Sequence, residues 1–161
     1  MPVDPTVTRA ILEQELIAVR ELGRTHRWGI IPDFGRLIVT VTMYSHAGDL
    51  FIIEAQCDNY KEVPPFFELL DPVSGERGVK SAYPKGHDSL FHDAPCLCAP
   101  FNRKAYKAID PLGPHADWNL GDWTRSTASG TAWENYRSLA DMFGLIQTRL
   151  SRPDFYKGRQ A

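Results

Sequence analysis

The sequence predicts one α+β domain spanning residues 1–161, with helices packed against a single antiparallel sheet. Three observations predict it. A stretch with apolar residues at helical spacing opens the chain. Strand-like runs separated by short turns follow. A second stretch with a helical apolar stripe comes near the end. A length of 161 residues suits one domain with a core that needs no staples. Apolar residues at 43% and charged residues at 24% are ordinary for a soluble globular chain.

The first helix is expected over residues 7–22, where Ile11, Leu12, Leu16, Val19 and Leu22 share a face. Thr6 or Thr8 is a candidate cap, and Gly23 a candidate stop. Three strand runs come next: Arg27–Ile31, then Arg36–Tyr44 with its β-branched residues, then Asp49–Gln56. Pro32–Gly35 and Ser45–Gly48 read as turns, so the connections are those of a meander. Pro64 and Pro65 exclude a central ladder position, and Phe66–Leu70 follows them as a fourth strand. Residues 71–95 read as irregular. Residues 96–131 are loop-rich, with a short helix near 102–109. The last helix is expected over 131–150, with Trp133, Tyr136, Leu139, Ala140, Phe143, Ile146 and Leu150 along one side and Pro153 after it.

The net charge of −2 gives no general attraction to nucleic acid or to an anionic membrane. No run approaches eighteen apolar residues, so no membrane span is expected. The N-terminal residues lack a basic start followed by an apolar run, so a cytoplasmic location is expected. Three cysteines is an odd number, and Cys96 and Cys98 are too close to pair comfortably with each other. Free thiols in a reducing compartment are therefore expected.

Residues 92–100, HDAPCLCAP, allow three readings. His92, Cys96 and Cys98, with His87 or His115, form a set that tetrahedral zinc accepts, although a second cysteine pair at ribbon spacing is missing. One of the cysteines is a reactive thiol. Or both are small buried side chains. Cys57 ends a strand and is expected in the core.

The element order, with a proline pair after the third strand, resembles the ubiquitin-conjugating enzyme family. Tyr60, Lys61, Glu62, Val63, Pro64 and Pro65 hold the spacing of that family's Tyr-Pro-x-x-Pro-Pro motif, with Lys61 in place of the first proline. Cys96–Cys98 falls where the family has its active cysteine. Trp118 or Trp123 stands for the tryptophan after it, and Leu150 and Pro153 reproduce the family's Leu-x-x-Pro. The resemblance covers residues 7–153. Two departures stand out: an inserted loop at about 73–87, and no His-Pro-Asn triplet before the cysteines. The chain looks closer to the divergent bacterial members of the family than to the eukaryotic enzymes.

The resemblance implies a carrier that holds a ubiquitin-like modifier as a cysteine thioester and passes it to an amine. Its implied partners are the modifier, an activating (adenylating) enzyme and a protein acceptor. It implies no cofactor and no metal. The first helix, with Arg9, Glu13, Glu15, Arg20 and Arg24, would help dock the activating enzyme. For the thiol, Leu97 before Cys98 fits the family's branched apolar residue, and Cys96 before Leu97 fits its leucine after the cysteine. Cys98 ranks first and Cys96 second. With the asparagine of the triplet missing, His92, His87 or Asn102 would support the oxyanion, His92 ranking first. In an extended segment Cys96 and Cys98 face one side and Leu97 the other. The rival functions are a zinc-binding module and a non-catalytic modifier-binding module of the same fold. A cysteine protease would need a histidine base and an orienting group that the sequence does not place. His115 and Asp117 are further candidates for deprotonating an incoming amine.

Overall fold

A computed structural model describes residues 2–85, 90–91, 95–125 and 133–161. The order is helix α1 (Pro5–His26), strands β1 (Gly29–Asp33), β2 (Ile38–Tyr44), β3 (Leu50–Gln56) and β4 (Phe66–Leu70), a long irregular segment, and helix α2 (Leu139–Ser151). The four strands form one antiparallel sheet in chain order, the expected α+β layout.

α1 starts earlier than the periodicity implies. Asp4 is the cap, its carboxylate accepting from the Thr6 N–H at 2.8 Å, and Pro5 fits the first turn. The helix also runs past Gly23 to His26, and Arg27 closes it in the left-handed conformation. Gly23 is thus not a stop. A Cβ there would lie 2.8 Å from Ile30 Cδ1, so the glycine lets the helix sit close against β1.

The core face of the sheet takes every second residue. Val39, Val41 and Met43 on β2 lie opposite Ala55, Ile53 and Phe51 on β3. Phe67 and Leu69 on β4 pair with Ala55 and Ile53. All eight side chains are buried in one core with Leu12, Leu16 and Val19 of α1 and Phe143, Ile146 and Leu150 of α2. A one-residue slip would turn each apolar side chain to the wrong face, so this pattern fixes the register. Pro32 lies within β1, not in the turn expected there; as an edge strand β1 tolerates the missing N–H.

α2 is shorter than expected. Trp133–Asn135 is a single 3-10 turn, and Ser138 caps α2 by accepting from the Asp141 N–H. Trp133 and Tyr136 nonetheless pack inward against Phe101, with ring centroids 5.9 and 6.3 Å away. Their spacing reflects aromatic packing rather than helix.

One carboxylate joins three distant segments. Glu15 Oε1 on α1 accepts from the Tyr60 hydroxyl and from the Leu139 N–H, both at 2.8 Å, and Lys61 Nζ lies 2.7 Å from Oε2. With 11% of its side chain exposed, Glu15 is a joint between α1, the Tyr60 turn and the start of α2, not one of a row of solvated charges. Beyond α2, residues 154–161 fold back: the Gln160 N–H donates to the Tyr83 carbonyl at 2.9 Å, and the Arg159 guanidinium covers the Phe51 ring. No helix among the described residues is long and apolar enough to cross a membrane.

Candidate functional site: a thiol pair beside a lysine cleft

The thiol segment is held from its middle. Leu97 is fully buried in the main core, and it forms an isolated antiparallel bridge with Phe91. The Cys98 N–H donates to the Leu90 carbonyl at 2.7 Å. Cys96 and Cys98 project away from that core into a small separate cluster with Ala105, against which Trp118 packs. The expected arrangement, Leu97 as anchor and the two cysteines together, is the one observed.

Asn102 supplies the clamp. Its side-chain nitrogen donates to the Leu97 carbonyl at 2.7 Å, and its oxygen accepts from the N–H groups of Phe67 at 2.8 Å and Lys104 at 3.1 Å. This fully buried amide ties the thiol segment to the start of β4 and to the turn Arg103–Ala105. Its oxygen and one of its N–H groups are engaged by backbone, so in the structure it holds the thiol segment in place.

The turn after Asn102 carries the charges. Lys104 Nζ lies 3.0 Å from Asp110 Oδ2. With Cys96, Lys80, Pro95, Gly78 and Leu112, they line a cleft of about 460 Å³. Of the two thiols only Cys96 lines it. Next to Leu112, Gly113 packs tightly on the backbone of Tyr106 and Asp110, where a Cβ would lie 2.7 Å from the Tyr106 carbonyl carbon. The His115 ring stacks on Trp118 at 3.5 Å, and Trp118 in turn meets the edge of Tyr106 at 5.5 Å. His115 therefore fixes the tryptophan that covers the cysteines. Trp123 belongs to the main core beside Tyr60, so Trp118 is the tryptophan at the thiols.

The two thiols differ in acidity. The side-chain interaction with Cys98 lowers Cys96 below an ordinary thiol, against the effect of burial, and the Lys104 ammonium lowers it further, opposed by Asp110. The same interaction, with burial, holds Cys98 above the ordinary value. Cys96, the thiol shifted downward, is also the one that faces the cleft. Burial tends to raise Asp110, but the Leu112 N–H and Lys104 outweigh it, so the carboxylate stays ionised beside the lysine. Cys57 is buried and raised by desolvation, in keeping with a core thiol.

His92 and His87, expected near the thiols, lie outside the described residues. Among the described residues no group of three or more His, Cys, Asp or Glu side chains could hold a metal ion. Asp117 is exposed. Lys80, Lys104 and Asp110 had no signal in the sequence; Lys104 and Asp110 are six residues apart on an irregular segment, and Lys80 comes from a separate turn.

No protein-family model, no curated protein and no solved structure matches the chain.

Proposed function

We propose that this chain is a cysteine acyl carrier of the ubiquitin-conjugating type. It receives a ubiquitin-like modifier from an activating enzyme as a thioester and passes it to a protein amine in a bacterial conjugation pathway. The acylated thiol is Cys96. The observation that carries the reading is the acidified Cys96 lining an open cleft beside Lys104, on an irregular segment after the tyrosine and proline pair. A thiolate is the nucleophile for loading, and a thioester is reactive enough to give up its acyl group to an amine. The geometry favours Cys96 over Cys98, which the sequence ranked first: Cys96 lines the cleft and Cys98 does not.

The test is charging. With activating enzyme, ATP and modifier, the chain gains a covalent adduct that thiol reductant removes. Cys96→Ala abolishes the adduct and Cys98→Ala retains it. An adduct that persists in both single variants and in the double variant would sink the reading.

A second reading has one observation in its favour. Cys96 and Cys98 are only 4% and 3% exposed, which suits a non-catalytic modifier-binding module in which both thiols serve as packing. That reading expects modifier binding without any adduct, and binding unchanged in the double alanine variant.

A further inference from the structure

Two thiols share one small cluster, one acidified and one held above the ordinary value, and a lysine ammonium stands beside the acidified one. Carrying one acyl group requires only one of them. We propose that Cys96 and Cys98 form a reversible internal disulfide, a dithiol site that takes a hydroperoxide as its oxidant.

The steps balance. The Cys96 thiolate attacks one oxygen of hydrogen peroxide. A sulfur–oxygen bond forms, the oxygen–oxygen bond breaks, and hydroxide leaves. Cys96 is then a sulfenic acid. The Cys98 sulfur attacks the sulfenic sulfur, a sulfur–sulfur bond forms, and the sulfur–oxygen bond breaks. The thiol proton of Cys98 leaves with that oxygen as water. The hydroxide takes up the proton that Cys96 released on forming the thiolate, so overall two thiols lose two electrons and one peroxide gains them, giving a disulfide and two waters. Lys104 favours the thiolate that starts the sequence, and Cys98, in the same small cluster, is the thiol that resolves the sulfenic acid.

Such a bond is labile. Two extended residues span about 6.6–7.2 Å between Cα atoms, at or beyond the upper limit of about 6.8 Å for a relaxed disulfide. The segment must contract about Leu97 to close it. Leu97 is held by its bridge to Phe91 and by the Asn102 amide, neither of them part of a regular ladder, so contraction strains these ties but breaks no strand. A strained disulfide is easily reduced, and a mild dithiol is expected to restore both thiols.

The site rests on Cys96 as the reactive thiol, the same sulfur as in the acyl-carrier reading, but needs no modifier. The full chain is treated with several molar equivalents of hydrogen peroxide, alkylated, and digested with trypsin. Cleavage after Lys85 and Arg103 places both thiols in one peptide and leaves Cys57 in another. The expected product is the peptide of residues 86–103 lacking two hydrogens, reverting with dithiothreitol, while Cys57 remains alkylatable. In Cys98→Ser the same dose is expected to carry Cys96 on to the sulfinic acid. A wild-type chain in which Cys96 is over-oxidised as fast as in Cys98→Ser, or in which both thiols remain alkylatable, overturns the proposal. A chain that forms the disulfide but never charges with modifier keeps this proposal and sinks the acyl-carrier reading. A chain that charges but forms no disulfide does the reverse.

Discussion

The side-chain nitrogen of Asn102 donates to the Leu97 carbonyl at 2.7 Å, between the two cysteines. This bond sets where both thiols stand, because Leu97 is the residue that separates them. The same amide accepts from Phe67 and Lys104, so the segment with the thiols and the turn with the lysine are held by one side chain.

Asn102→Ala removes all three bonds and leaves the Leu97 carbonyl and the Phe67 N–H without that partner. At about 1 kcal/mol for each bond, plus the cost of buried groups left unpaired, the loss is about 3–4 kcal/mol in chemical denaturation. Cys96 is also expected to react faster with iodoacetamide in this variant, since its segment is no longer pinned. A loss under 1 kcal/mol would show that the clamp does not hold the segment.

Lys104 and Asp110 are expected to move Cys96 in opposite directions. Lys104→Gln removes the cation that favours the thiolate, so the pH midpoint of Cys96 alkylation rises. Asp110→Asn removes the opposing charge, so the midpoint falls. A fraction of a pH unit to one unit corresponds to about a threefold to tenfold change in rate at neutral pH. Fragmentation of the peptide of residues 86–103 in the mass spectrometer distinguishes alkylation at Cys96 from alkylation at Cys98. Shifts of the same sign in both variants would exclude this electrostatic control.

Asp58 and Arg103 give the fold an acid-sensitive tie. The guanidinium spans both carboxylate oxygens, at 2.7 and 3.2 Å, and its nitrogens also reach the Asp58 and Gln56 carbonyls. The hydrogen bond from Arg103 holds Asp58 below the usual carboxylate range, against desolvation. The folded chain therefore binds this proton less readily than the unfolded chain. The contribution is complete above the unfolded value of about 3.9 and disappears as pH falls through the lower folded value. Thermal melts across pH 6 to 2.5 are expected to show a drop that is shallower in Asp58→Asn. An identical drop in the variant would place the acid sensitivity elsewhere.

The sheet was legible because its core face is written in strict alternation: Val39, Val41, Met43 and Phe51, Ile53, Ala55 can be read as two strands before any contact is known. The ends of the helices were less legible. Gly23 is at a position where a stop signal and a close approach to Ile30 require the same residue type. Trp133 and Tyr136 keep helical spacing because both reach Phe101, although the backbone there is not a continuous helix. At the site, the pairing of Cys96 with Cys98 opposite Leu97 was legible from the alternation of an extended segment. The choice between the two sulfurs was not. It depends on Lys104 and Asp110, brought to one side of the pair by the turn after Asn102 and by the close packing at Gly113.

Glu15 has a consequence for how the chain reaches this state. Its hydrogen bonds to Tyr60 and Leu139 close separations of 45 and 124 residues at a single oxygen. A link between such distant segments incurs loop-closure entropy before it returns any enthalpy. The joint therefore belongs to the late part of folding, after the meander has brought Tyr60 into place. In stopped-flow kinetics, Glu15→Gln is expected to speed unfolding and leave the folding rate nearly unchanged. Once formed, the joint acts as a latch on the assembled domain.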